Sequence, residues 1–204
     1  MINQKRAIKQ LMIIKKLADE LRLAADGWDE DWKTLIATLM SARTTDKKTI
    51  PVAEELFRRF GSVEKLAKAK YDDIAKIIRP VNFYKTKTKN IIYLAGILVK
   101  DYEGEVPHVF EELVELPGVG RKTANVFLAE KGNGTIGVDT HLSYISRYLG
   151  WTKHTDQYKT EKDLEALFPK RFWGKLNWVL VRFGQTYPNR RIKNEILDKI
   201  KKIK

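Results

Sequence analysis

The side chains best suited to chemistry lie close together in mid-chain, in the stretch LVELPGVGRKTANVFLAEKGNGTIGVDTHLSYISR at 113–147. Pro117, Gly118 and Gly120 stand there between two helical patterns. Such a run makes a tight turn, because glycine reaches positive φ and lets another backbone come close. The helix after the turn begins at about Arg121. Its unpaired N–H groups and the positive end of its dipole then face outward beside the glycines, an arrangement that suits a phosphate. A plain connection between helices would read the same way, since a Pro-Gly turn is common. Lys122 strengthens the first reading. It sits in the first turn of that helix beside Arg121, and both the dipole and the neighbouring cation disfavour the ammonium form. A neutral lysine amine is a nucleophile. On local sequence alone, a phosphate-binding lysine is an equal alternative.

Asp139 follows seventeen residues later, after a turn carrying Gly132, Gly134 and Gly137 and an apolar approach through Ile136 and Val138. Placed just before Thr140, it stands where a helix N-cap belongs. A capping carboxylate can also face a cleft, where it would stabilise positive charge developing on a sugar ring. His141, two residues on, reads as a packing or orienting group.

Composition narrows what such a site could be. The 204 residues contain no cysteine, which excludes disulfides, thiolate zinc sites, cysteine nucleophiles and a cysteine-ligated iron–sulfur cluster. Three His, at 108, 141 and 154, make a poor metal site, so no side-chain metal centre is expected. A net charge of +13 calls for a polyanionic partner, and nucleic acid is the commonest one for a basic domain. A chain that is lysine-rich throughout would show the same balance. With 43% hydrophobic residues the chain is expected to fold. The longest uncharged apolar run near the N-terminus spans only 11–14, too short for a signal peptide or a membrane span. The expectation is a cytoplasmic, nucleoid-associated protein.

The elements that must position Lys122 and Asp139 are helical by periodicity. Ile8, Leu11, Ile14, Ala18 and Leu21 recur on one face, and Leu35, Ile36, Leu39 and Met40 form a second stripe. Asp46 is expected to cap a helix running through Val52, Leu56 and Phe60 to Gly61, and Ser62 to start another. Further helices are expected at 71–79, from about Ile91 to before Gly104, and from Pro107 through Val114. After the glycine turn come Arg121–Glu130, Thr140–Leu149, 158–168 and 172–184. A basic tail helix carries Ile192, Ile196, Ile200 and Ile203 on its inner face. No run alternates with period two for long enough to make a strand. The fold class is all-α.

These residues carry a resemblance. LPGVGRKTAN followed by VDTH is similar to the helix–hairpin–helix DNA glycosylases, in particular the endonuclease III branch. LIATLMSARTTD, IIRPVNFYKTKTKNI and the GEVP at 104–107 have counterparts upstream, so the likeness covers roughly residues 5–187. The resemblance implies two α-helical lobes. One is a six-helix barrel with the hairpin at 25–134, the other is built from both chain ends, 1–24 and 135–204, and DNA lies across the cleft between them. It implies a base-excision-repair glycosylase with AP lyase activity on oxidised pyrimidines, a monomer acting on duplex DNA that holds damaged bases or abasic sites. Lys122 would attack C1′ of the damaged nucleotide, expel the base and form a Schiff base from which β-elimination cuts the strand. Asp139 would assist proton transfer and stabilise oxocarbenium character. Gly118, Gly120 and Arg121 would hold the DNA backbone, and the carbonyls of Val114, Leu116 and Val119 would hold a monovalent cation.

Two departures qualify it. The family usually carries a four-cysteine loop for a [4Fe–4S] cluster after the segment matching 182–187; here Pro188 and the basic tail stand instead. Where relatives commonly insert Gln and Leu into DNA, this chain has Arg43 and Phe83, so its lesion range is less fixed than its chemistry. Phe83 has two readings, a core residue or a wedge between bases with the nearby Lys85 and Lys87 on phosphates. The rival functions are a relative directed at oxidised guanine or mismatches, and a non-catalytic helix–hairpin–helix module. Lys122 argues against a mismatch enzyme, and Lys122 with Asp139 against pure binding.

Overall fold

The computed structural model describes residues 2–203, and among these no residue lies in a strand. Twelve α-helices follow in order: α1 (Gln4–Leu17), α2 (Asp31–Ser41), α3 (Asp46–Phe60), α4 (Val63–Ala67), α5 (Tyr71–Ile78), α6 (Tyr84–Asp101), α7 (Phe110–Glu115), α8 (Arg121–Glu130), α9 (Thr140–Leu149), α10 (Gln157–Leu167), α11 (Trp173–Thr186) and α12 (Arg190–Lys201), with a 3-10 turn at Lys170–Phe172. The expected all-α class holds.

The chain divides into two compact units. One is Arg22–Leu128; the other joins the two chain ends, up to Leu21 and from Ala129 onward. In the first, α6 packs on α2, α4 and α5. Leu35, Ile36, Met40, Leu56, Ile74, Ile78, Ile91, Leu94 and Leu98 fill its core, which extends into the hairpin through Leu113, Leu116 and Val119. In the second, α11 packs on α1 and α9, and α12 on α1 and α9. Its core is Leu11, Ile14, Leu142, Ile145, Leu176, Leu180, Phe183 and Leu197, together with Ile136 and Val138 from the approach to Asp139.

Several helix ends differ from the sequence expectation. The first stripe stops at Leu17, because side chains of α11 and its C-cap residue take the backbone groups that a longer helix would have paired. Thr186 Oγ1 accepts from Asp19 N–H at 2.9 Å, Arg182 Nε donates to Leu21 O at 2.8 Å, and Tyr187 OH donates to Leu17 O at 3.1 Å. Thr45, not Asp46, is the N-cap residue of α3. That helix buries Thr49, Ala53, Leu56 and Phe57, a face turned slightly from the expected stripe. Pro107 lies outside α7, which starts at Phe110.

In the tail helix Ile196, Ile200 and Ile203 meet the core as expected, but the face is turned slightly: Ile192 is exposed, and Lys193 and Leu197 face inward. Polar side chains fix this register: Tyr144 OH donates to Asn194 Oδ1, Tyr148 OH to Asp198 Oδ1 at 2.8 Å, and Gln10 Nε2 to Ile200 O at 3.2 Å. Gln10 in turn accepts from Trp151 Nε1 at 2.8 Å. These bonds, one helical turn apart on α9 and α12, hold the tail against the helix that Asp139 starts.

Candidate active site

The hairpin joins α7 to α8 through Leu116, Pro117, Gly118, Val119 and Gly120. Leu116 N–H bonds to Leu113 O at 3.1 Å and Val119 N–H to Leu116 O at 3.0 Å, which closes the turn. Gly118 has φ +80°, and a Cβ there would lie 2.5 Å from Asn90 Nδ2 and 3.0 Å from Asn90 Cβ. Both the backbone conformation and the approach of α6 therefore require glycine. Gly120 differs: it has no positive φ, and a Cβ on it would meet nothing within 4 Å. Its missing side chain leaves a bare backbone facing open space. The Arg121 guanidinium stacks over the Phe110 ring at 4.9 Å, tying the starts of α7 and α8 together.

Lys122 is the second residue of α8 and is partly buried. Its ammonium group makes no hydrogen bond or ion pair among the described residues, and Thr123 and Ala124 beside it are buried. The helix offers its unpaired N-terminal amides at the same end. At the far side of the turn, α7 ends and Leu116 is extended, so the last carbonyls of α7 lack intrahelical partners. Carbonyl oxygens at the negative end of a helix are the donor class that a hard monovalent cation takes.

Asp139 belongs to the other unit. It is the N-cap of α9, with Oδ1 accepting from Leu142 N–H at 2.8 Å. No hydrogen bond of Oδ2 is found among the described residues, and the side chain is partly exposed. Only Oδ1 is engaged by the cap. The approach to it is fixed by Ile136 and Val138, both buried, and by Asn177 Nδ2, which donates to Gly137 O at 2.6 Å. His141 fits its packing reading: its ring lies over Gly184 on α11 so closely that a Cβ there would be 2.1 Å from Nδ1.

Arg43 and Phe83, forty residues apart, are brought together. The Arg43 guanidinium lies 5.0 Å from the Phe83 ring centroid. Phe83 is 58% exposed, so it is a loop-tip residue and not a core one. Sequence reasoning passed over Asn90 and Asn177, which hold these sites, and put Lys87 on a phosphate, whereas its side chain is buried and bonded to the carbonyls of Met40 and Ala42. Lys87 did leave a signal of its burial. It stands four residues before Ile91, on the face that Leu94 and Leu98 continue, where a lysine has no reason to be unless something buried needs its charge.

With no thiol in the chain, nothing matches the donor set of an iron–sulfur cluster, and α12 occupies the corresponding stretch of sequence. No helix among the described residues is long and apolar enough to cross a membrane.

Comparison with known proteins agrees with this geometry. Residues 36–170 match the HhH-GPD superfamily of base excision DNA repair proteins. Endonuclease III of Thermotoga maritima is 38% identical over 177 residues, which are 85% of this chain and 83% of that protein. That of Synechocystis is 36% identical over 184 residues, covering 89% and 84%. Among solved structures, a trapped endonuclease III–DNA covalent intermediate, the estranged-adenine complex, superposes with a TM-score of 0.84 at 29% identity, covering 94% of this chain and 90% of that one. A thermostable thymine-DNA glycosylase shares the fold with a TM-score of 0.78 at 21% identity, covering 92% and 88%. An all-α chain with the glycine hairpin, the lysine behind it and the capping aspartate thus belongs to the HhH-GPD superfamily, as a base excision repair DNA glycosylase of the endonuclease III type that lacks the iron–sulfur cluster loop.

Proposed function

We propose that the protein is a bifunctional glycosylase and AP lyase acting on oxidised pyrimidines in duplex DNA. The observation that carries this is Lys122 in the first turn of α8, directly behind a hairpin whose Gly118 is sterically obligatory and whose Gly120 leaves bare backbone. The endonuclease III structures that the chain resembles include one trapped as a covalent intermediate with DNA, and a lyase that works through an imine needs an amine.

In the proposed reaction the hairpin amides at Gly118 and Gly120, with Arg121, take the DNA backbone. The amine of Lys122 attacks C1′ of the damaged nucleotide. The C1′–N bond breaks, and the base leaves with the electron pair and acquires a proton. Asp139, through the carboxylate oxygen not used in capping, stabilises positive charge on the sugar and relays protons. Opening of the sugar ring gives the imine. Loss of a proton from C2′ then expels the 3′ phosphate, and water hydrolyses the imine to free Lys122. The carbonyls of Val114, Leu116 and Val119 would hold a monovalent cation, which supplies positive charge beside a phosphate. Phe83 and Arg43 would enter the stack left by the extruded base, a step that costs a few kcal/mol and least for damaged pairs.

The test is a labelled duplex with one oxidised pyrimidine, scored separately for base release and for strand scission. The proposal expects both from the parent protein and neither from Lys122→Ala. Base release without scission would reduce the protein to a monofunctional glycosylase.

A further inference from the structure

Arg43 and Phe83 share an uncommon backbone state, with φ of 58° and 59°. Side chains of L residues, bulky ones above all, adopt it at a cost, and such strain persists only where surrounding contacts over-determine it. Two residues supply those contacts. Asn82 Nδ2 donates to Arg43 O at 2.5 Å, and Asn82 N–H donates to Thr44 Oγ1 at 3.1 Å. From the first turn of α6, Lys87 Nζ donates to Met40 O and Ala42 O, both at 2.7 Å, and reaches Thr44 Oγ1 at 3.5 Å. The two carbonyls lie at the C-terminal end of α2, where intrahelical donors run out.

Lys87 is only 6% exposed, and its burial lowers its pKa to about 8. An apolar residue would continue the Ile91–Leu94 face with no desolvation cost. The chain instead buries a cation whose hydrogen bonds all go to the segment leading into Arg43 and out of it.

We propose that Asn82 and Lys87 are positioning residues that lock the loops at 42–45 and 79–83 together, so that Arg43 and Phe83 meet DNA as one preset probe, an aromatic face with guanidinium donors stacked on it. This inference rests on the DNA repair function proposed above. Its physical gain is preorganisation: loops that are already ordered lose less entropy when the duplex is entered. The gain falls on the step that exposes a paired base, and it is small at an abasic site, where there is no base to extrude.

The experiment is a double-mutant cycle with Asn82→Ala, Arg43→Ala and the pair, read as single-turnover rates on two duplexes. One duplex carries a paired oxidised pyrimidine and the other an abasic site. Asn82 is exposed, so its variant should melt like the parent. The expected result is a loss of about tenfold on the paired lesion, clearly larger than at the abasic site. Adding Asn82→Ala to Arg43→Ala should cost less than Asn82→Ala costs alone. Additive losses, or equal losses on both duplexes, would overturn the proposal. For Lys87, hydrogen exchange on Lys87→Met should show faster exchange of amides at 42–45 and 82–84, with the rest of the unit unchanged; unaltered exchange there would remove Lys87 from it. A parent inactive on both duplexes would instead overturn the proposed function, whereas an active parent with a parent-like Asn82→Ala overturns only the positioning role.

Discussion

Alanine at Gly118 and alanine at Gly120 should have opposite consequences, although the residues are two positions apart in one turn. At Gly118 the new Cβ would sit at φ +80°, 2.5 Å from Asn90 Nδ2 and 3.0 Å from both Cβ and Cγ of Asn90. Because the stem of Asn90 is involved as well as its amide, rotating the side chain cannot clear the contact. The left-handed conformation costs about 1 kcal/mol and the overpacking about 1–3 kcal/mol. For a domain of this size, each kcal/mol lowers the melting temperature by about 2–4 °C. Gly118→Ala should therefore melt roughly 4–16 °C below the parent.

At Gly120 there is neither a positive φ nor a neighbour within 4 Å. Alanine fits there and should leave stability unchanged or raise it by about 0.4–1 kcal/mol through the unfolded chain. If a DNA phosphate approaches that bare backbone, however, the methyl group blocks it. The loss of one hydrogen bond to a charged group, about 1.5 kcal/mol, weakens binding roughly tenfold. Thermal melting and fluorescence anisotropy on one duplex, at one salt concentration, read both effects. Parent-like DNA binding by Gly120→Ala would refute the hairpin contact, and a parent-like melt for Gly118→Ala would refute the packing argument.

Three other perturbations separate structure from chemistry. Asp139→Asn keeps the acceptor for Leu142 N–H, so a melt should show less than about 0.5 kcal/mol of change; base excision should fall by orders of magnitude and abasic-site cleavage much less, and equal losses would leave Asp139 as a cap alone. Phe83→Ala should destabilise by less than about 1 kcal/mol in a denaturant titration, since the exposed ring gives up mainly its contact with Arg43; a loss of about 3–5 kcal/mol would mean a buried ring. Lys87 predicts a pH dependence: its pKa falls from 10.5 to about 8 on folding, so between those values the unfolded chain binds more protons and stability rises with pH, by up to about 1.4 kcal/mol per unit. Measured as the difference from Lys87→Met, that rise should appear from pH 8 to 10.5 and be absent below 8; a flat difference would contradict the burial.

What could be read from the residues alone was what local punctuation fixes. Helices α8 and α9 run over the expected spans because a glycine turn precedes one and Asp139 and Gly150 bracket the other. The hairpin, Lys122 and Asp139 stand out for the same reason: their setting is made by neighbours in sequence. Two of the misreadings involve distant partners. The α1 stripe stops early because Thr186, Arg182 and Tyr187, far along the chain, take its continuing backbone groups. The tail helix turns its face because Tyr144 and Tyr148 fix its register. Phe83 could be core or tip until its exposure was known, since an aromatic in a turn fits both. Asn82 looks like an ordinary loop residue, and its role depends wholly on Arg43 and Thr44 across thirty-eight residues of chain and more.

Lys122 as the nucleophile can be caught covalently. Borohydride reduction during turnover on a duplex with one oxidised pyrimidine converts an imine into a stable protein–DNA bond, and mass spectrometry of the digested adduct locates it. A single modified peptide carrying the sugar remnant on Lys122 is expected, with no adduct in Lys122→Ala. An adduct on another lysine or on the N-terminal amine, or trapping undiminished in Lys122→Ala, would contradict it.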